Sequence, residues 1–265
     1  MISRITCLSA TAFLVAGNPA WAADADLAKQ LSNPVASLIS VPLQLNHDSG
    51  FGPNDGEKTV LNIQPVIPIS LNSNWEVISR TIVPLVWQKD VAGESGSQSG
   101  LGDIEASFFF SPKTPGPSGI IWGVGPIFLL PTATDELLGS EKWGLGPTAV
   151  VLKQSEGWTY GAMANHIWSV AGEDDRSDIS STFLQPFLTY TSPTAWTFGL
   201  NTESSYDWKA EEWSVPINIF VSKVTKLGKQ PVSFQIGARY WADAPEGGAD
   251  GWGVRAAFTL LYPEG

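Results

Sequence analysis

Period-two alternation of apolar and polar residues, repeated in segment after segment, constrains this chain more than any other feature. Between Leu61 and Leu71 the odd positions are Leu61, Ile63, Pro65, Ile67, Ile69 and Leu71, while Asn62, Gln64 and Ser70 lie opposite. Between Trp196 and Trp208, the residues Trp196, Phe198, Leu200, Thr202, Ser204, Tyr206 and Trp208 alternate with Thr197, Gly199, Asn201, Glu203, Ser205 and Asp207. Trp213, Val215, Ile217, Ile219 and Val221 face away from Ser214, Asn218 and Ser222. Val232, Phe234, Ile236, Ala238 and Tyr240 face away from Ser233, Gln235 and Arg239. Successive side chains of an extended chain point to opposite faces, so each segment reads as a strand with one oily and one polar face. About 12 such segments, separated by Gly, Asp, Ser and Asn clusters, run to the end of the chain.

Two architectures carry this pattern. A soluble sandwich turns the oily face inward, whereas a membrane barrel turns it outward to lipid and keeps the polar face for the lumen. Tryptophan spacing favours the barrel. Trp75 and Trp87, Trp196 and Trp208, and Trp158 and Trp168 are separated by even numbers of residues, so each pair shares a face. At ~3.3 Å per residue and a tilt near 45°, a separation of 12 spans about 28 Å. That brackets the ~25 Å apolar band of an outer-membrane barrel, with an aromatic girdle at each edge. The connections point the same way. One set comprises Gly50–Lys58, Lys89–Gly100, Pro131–Lys142, Gly172–Asp178, Trp208–Glu212 and Ala242–Gly251. It is mostly long and holds 16 of the 26 acidic residues against 5 basic ones. The other set, Leu71–Asn74, Ser111–Gly119, Gln154–Gly157, Ser192–Ala195 and Thr225–Gln230, is mostly short and leans basic. Long loops at one rim and tight turns at the other are how bacterial outer-membrane barrels are built. An even strand count puts both termini on the periplasmic side, and the acidic loops outside.

Composition agrees. Only 15% of residues are charged, against about 25% in soluble domains. A net charge of −11 excludes a basic nucleic-acid footprint, and 12 Trp with 12 Phe exclude disorder. Arg4, the apolar run Ile5 to Ala16 and the small-x-small sequence Ala20-Trp21-Ala22 predict a signal peptide over residues 1–22. A periplasmic N-terminal segment is expected over 23–36 and the barrel over 37–265. Asp26 to Ser32 has helical spacing and ends at Asn33-Pro34; it would lie at the periplasmic rim or plug the lumen. The single cysteine, Cys7, lies within the leader, so no disulfide staples the mature chain. Pro65, Pro68, Pro84, Pro126, Pro147, Pro186 and Pro216 fall inside the proposed strands. Proline cannot donate to a ladder and a closed barrel has no edge, so some strands must carry bulges or extend beyond the lipid band.

The segments DLAKQLSNPVASLIS, LNIQPVIPISLNSNWEVISRTIVPL, GVGPIFLLPTATDELLGSEKWGLGPTAVVLKQ and WSVPINIFVSKVTKLGKQPVSFQIGARYW resemble a bacterial family of outer-membrane transporters. Some of its members are labelled "neuromedin U", and it is related to barrels named for the meta-pathway of phenol degradation. The resemblance spans nearly the whole mature chain. It implies an outer-membrane barrel and a transport role, and carries no catalytic or binding motif. The ending departs from the usual pattern, because the terminal aromatic, Tyr262, is followed by Pro263-Glu264-Gly265. Partners expected for such a barrel are outer-membrane lipid, lipopolysaccharide, the barrel-assembly machinery and a small-molecule solute.

Strand parity collects Asn62, Gln64, Glu76, Arg80, Asp103, Glu105, Asn201, Glu203, Asp207, Gln235, Arg239 and Arg255 on the lumen face. Arg80, Glu105, Glu203 and Arg239 are the leading candidates for solute contact, with Asp103, Asp207 and Arg255 beside them. Arginine facing carboxylate across a lumen sets a transverse field; the same pairs can also brace a modest barrel shut. His166 and Ser169 are three apart, on opposite faces of one strand, which argues against a nucleophile and its base. The acid cluster Glu173-Asp174-Asp175 with Asp178 lacks the spacing of a tight Ca²⁺ loop. No metal, cofactor or covalent chemistry is expected. The expectation is passive or facilitated passage of small molecules, with a closed structural or adhesive barrel, or a barrel-embedded lipid hydrolase, as alternatives.

Overall fold

A computed structural model describes residues 19–263, so residues 1–18 of the expected signal peptide lie outside the described residues. Helix α1 spans Pro19–Leu31. Extended segments then follow to Tyr262 and make 12 strands of a single closed antiparallel sheet. These are β1 (Ile39–Phe51), β2 (Gly56–Ile63 continuing as Val66–Ser70), β3 (Trp75–Lys89) and β4 (Ser97–Leu101 continuing as Ile104–Pro112). Next come β5 (Ile120–Leu130), β6 (Lys142–Ser155), β7 (Trp158–Gly172) and β8 (Ser180–Thr191). The last four are β9 (Trp196–Thr202 continuing as Ser204–Asp207), β10 (Glu212–Leu227), β11 (Gln230–Asp243) and β12 (Gly251–Tyr262). Each strand pairs with its neighbours in sequence, and β1 pairs with β12 from Ile39↔Tyr262 to His47↔Val254, which shuts the barrel. The all-β antiparallel barrel expected from the alternation is the fold observed.

Of the seven prolines placed in strands from the sequence, Pro68 pairs in unbroken register with Ile78, and the other six lie at or beside faults in the ladder. Pro65 lies in the gap between the two segments of β2. Pro84 lies beside the gap in β4, where the Gly102 amide donates to the Pro84 carbonyl at 2.9 Å. Pro186 on β8 and Pro216 on β10 flank the gap in β9 at Glu203, and Ala242 of β11 forms a bulge opposite Pro216. Pro126 and Pro147 pair with each other across β5 and β6. A missing donor on one strand is thus met by a missing or displaced acceptor on the next, and the barrel closes without exposing an edge.

Two faces separate cleanly. Leu45, Ile69, Val124, Val151, Phe198, Leu200, Ile219, Ile236 and Val254 are exposed on the outer wall. Aromatic residues gather at both ends of that wall. At the end with short turns, Trp75 meets Trp122 edge-on at 5.8 Å and Trp158 meets Tyr190 at 5.1 Å. At the other, Tyr206 contacts Trp208 and Trp213 at 4.9 and 5.0 Å, and Tyr240 contacts Trp252 at 5.0 Å. These are the two girdles expected of a barrel seated in a bilayer. Loop residues 131–141, between β5 and β6, fold against β3 and β4. The Asp103 carboxylate accepts from the Ser140 amide and hydroxyl, both at 2.6 Å, and Gln88 donates to the Leu137 carbonyl at 3.3 Å.

Helix α1 is longer than its sequence spacing suggested and lies inside the barrel mouth at the end with short turns. Leu27 and Ala28 pack with Ala36, Leu38, Ala195, Val224 and Leu261. Val35 packs with Ile78, Phe109, Val150, Leu152 and Met163 from the inner walls of β3, β4, β6 and β7. These inward apolar residues form a core under the N-terminal segment, burying side chains that a water-filled lumen would leave wet. Polar bonds fix the segment as well. Ser37 donates to both oxygens of the buried Glu76 carboxylate at 2.8 and 2.7 Å, and Gln154 donates to the Lys29 carbonyl at 2.8 Å.

The orientation of the oily face can be measured. Ile219 is 53% exposed on the outer wall near mid-height of β10. Ile219→Arg is expected to destabilise the barrel by about 2–4 kcal/mol, read from reversible unfolding in lipid vesicles by tryptophan fluorescence. A change below about 0.5 kcal/mol would mean that this face does not meet lipid.

Candidate functional site: the barrel lumen

The middle of the barrel holds a cavity of about 480 Å³. Strand parity delivers its polar wall. Gln44, Asn62, Gln64, Arg80, Glu105, Glu203, Arg239 and Arg255 all line it, contributed by β1, β2, β3, β4, β9, β11 and β12. Register decides which of these meet. Arg255 stands opposite Asn46, and its Nε donates to the Asn46 Oδ1 at 2.6 Å. Its two terminal nitrogens donate to the two carboxylate oxygens of Glu203 at 2.8 and 2.7 Å. Such a fork-on-fork pair fixes both planes as well as the charges.

Glu203 can receive Arg255 because it sits in the gap of β9. Its amide donates to the Pro216 carbonyl at 3.3 Å, and its carboxylate also lies 3.6 Å from Arg239. Arg239 in turn donates to Asp48 at 3.2 Å and stacks on the Trp241 ring at 4.8 Å. The Trp241 indole donates to the other Asp48 oxygen at 2.9 Å. Gly253 makes room for this carboxylate: a Cβ there would collide with Asp48 Oδ1 and the His47 carbonyl. Two guanidinium groups and two carboxylates therefore form one closed, neutral brace across the barrel.

Arg80 and Glu105 stand outside the brace. Arg80 lies opposite Ser107, and Glu105 opposite Ile82, so the two are diagonal neighbours on β3 and β4. Arg80 donates to Gln64 Oε1 at 3.0 Å and approaches the Met163 sulfur at 4.0 Å. Among the described residues neither Arg80 nor Glu105 forms an ion pair. Arg80 also borders a smaller cavity of about 140 Å³ under Gln30, Pro34 and Leu38, so it marks the boundary between the central cavity and the N-terminal segment.

Two expected lumen residues do not line the central cavity. Asp103 spends its carboxylate on loop residues 131–141, as described above. Asp207 is exposed at the end of β9 and accepts from the Lys209 and Ala210 amides at 2.7 and 3.2 Å, which caps the turn into β10. Both lie where a strand stops or breaks, so parity no longer fixes direction. Four participants were not singled out from the sequence: Gln44, Asn46, Asp48 and Trp241. Gln44, Asn46 and Asp48 alternate with Leu43, Leu45 and His47, and Trp241 shares parity with Arg239, so the same period-two signal would have found all four.

His166 lies in the upper girdle, its ring 4.1 Å from that of Trp168, with Nδ1 at 2.7 Å from Thr182 Oγ1. Ser169 bonds instead to Asp178 at 3.1 Å. That bond, followed by the contact with Lys142 at 3.4 Å, holds the Asp178 carboxyl below the usual carboxylate range. No group of three or more His, Cys, Asp and Glu among the described residues is arranged to hold a metal ion.

A closed barrel with an oily outer wall, paired aromatic girdles and a polar, charge-lined interior defines an outer-membrane β-barrel. No protein-family model and no curated protein sequence matches the chain. Solved structures do. An outer-membrane channel from Pseudomonas putida F1 superposes with a TM-score of 0.66 at 14% identity, covering 85% of this chain and 96% of that one. Outer membrane phospholipase A from Escherichia coli superposes with a TM-score of 0.50 at 10% identity, covering 92% of this chain and 98% of that one. At these identities the likeness is one of fold.

The brace makes a stability prediction. Removing one partner of a buried ion pair strands the others, so Glu203→Gln is expected to destabilise by about 3–5 kcal/mol. Asp207→Asn, which keeps an acceptor for its turn, should leave stability nearly unchanged. Chemical denaturation of both variants in the same lipid checks the contrast.

Proposed function

We infer that the protein is an outer-membrane channel that passes small molecules by passive or facilitated diffusion through its lumen. The observation that carries this reading is the central cavity, about 480 Å³ and lined by charged groups from opposite walls. A cavity of a few hundred Å³ suits a small molecule, and fixed charges of both signs impose a transverse field on whatever crosses it. A barrel serving only as a scaffold has no need of a guanidinium and a carboxylate that, among the described residues, stand outside every ion-pair contact. Transport of this kind involves no covalent step, so the proposed role is not enzymatic. The signal peptide over residues 1–22, the barrel-assembly machinery and lipopolysaccharide beside the acidic rim complete the proposed setting.

The N-terminal segment favours a second reading, a barrel closed at rest. Residues 25–38 fill the mouth at the end with short turns, and apolar contacts and the Ser37–Glu76 bonds hold them there. The two readings separate in planar bilayers. Full-length protein is expected to give discrete conductance events, and deletion of residues 23–38 a larger and steadier conductance. Absence of conductance in both, with the barrel folded, would exclude the channel reading and leave a structural barrel.

A further inference from the structure

We propose that Arg80 and Glu105 form a lumenal binding site for a zwitterionic small molecule, an α-amino acid with an apolar side chain. The proposal rests on the channel reading and names the solute class that the cavity recognises.

The charges of the cavity sort into two groups. Arg239, Arg255, Glu203 and Asp48 bond to one another in a neutral set, joined by Trp241 and Asn46, with only the Arg239 Nε left without an acceptor among the described residues. Arg80 and Glu105 line the same cavity with no carboxylate or guanidinium in ion-pair contact among the described residues. Arg80 is held in place by Gln64 at 3.0 Å, so the guanidinium is positioned while most of its donors remain available. Glu105 makes no side-chain hydrogen bond among the described residues, although it accepts through both oxygens when ionised.

Charge balance selects the ligand. A simple anion drawn to Arg80 would sit beside the Glu105 and Glu203 carboxylates, and a simple cation drawn to Glu105 would sit beside arginine. A molecule carrying both signs satisfies both groups and leaves the cavity neutral. Its carboxylate would take the Arg80 fork, and its ammonium would donate to Glu105. The rest of the wall suits an apolar side chain: Ile82, Ile127, Leu129 and Ile167 line the same space. The site faces the central cavity on one side and, through Arg80, the N-terminal segment on the other.

Isothermal titration of the folded, detergent-solubilised full chain tests this with leucine, 4-methylpentanoate and 3-methylbutylamine, which share the 3-methylbutyl unit and differ in carrying both charged groups, the carboxylate alone or the ammonium alone. Leucine is expected to bind at least about tenfold more tightly than either analogue. Glu105→Gln should erase the preference for leucine over 4-methylpentanoate, and Arg80→Met that over the amine. Heat-modifiable gel mobility confirms that each variant is folded, and Asp207→Asn should bind like the parent chain. Equal affinity for the three ligands, or a preference that survives both substitutions, would overturn the proposal. Bilayer recording judges the channel separately. Conductance without leucine preference would remove the site and keep the channel; saturable leucine binding without conductance would keep the site and remove the channel.

Discussion

Inside a hydrocarbon layer no water is available to a backbone amide or carbonyl, and every such group must find its partner within the protein. The rest of this structure follows from that constraint. It forces the sheet to close, so Tyr262 pairs with Ile39 and the last strand meets the first. It also explains where proline is tolerated. Pro186, Pro216 and the interruption at Glu203 lie side by side on three consecutive strands, so the missing amides and the misplaced carbonyls fall in one patch.

That patch is also where the lumen acquires its chemistry. With the ladder of β9 interrupted between Thr202 and Ser204, the Glu203 amide reaches across to Pro216 and its carboxylate meets Arg255 and Arg239. A backbone irregularity and a buried ion-pair network therefore occupy the same height of the barrel. The network is neutral and nearly saturated with hydrogen bonds, the condition under which buried charges are tolerated.

Period two made much of this readable from the sequence, because in a strand one bit of information per residue decides lipid or lumen. Arg80, Glu105, Glu203, Arg239 and Arg255 come from five different strands, yet parity alone was enough to gather them around one cavity. The method fails where the chain stops being a strand. Asp103 sits in the gap of β4 and turns to Ser140, and Asp207 sits at a strand end and turns to its own loop. The inward fold of residues 131–141 and the depth reached by Val35 were not readable, because both depend on shape complementarity between segments far apart in sequence. The strand faults at Pro65, Pro84 and Pro186 were foreseeable as faults, whereas their grouping required the register.

The interior thus contains two kinds of charge with different consequences. In the brace, each guanidinium meets carboxylate oxygen that would otherwise lie exposed to the lumen, and the return is rigidity between β1, β9, β11 and β12. Arg80 and Glu105 bring no comparable return to the folded chain. Each pays desolvation without a full partner, a cost that packed apolar residues at the same positions would avoid. Apolar side chains would also fit their surroundings, since Ile82 and Ile127 already line the wall beside them. On the channel reading proposed above, a pair of groups that costs stability and faces a cavity, with Arg80 held ready by Gln64, would find its compensation in what occupies that cavity, which would locate selectivity on β3 and β4 rather than in the brace.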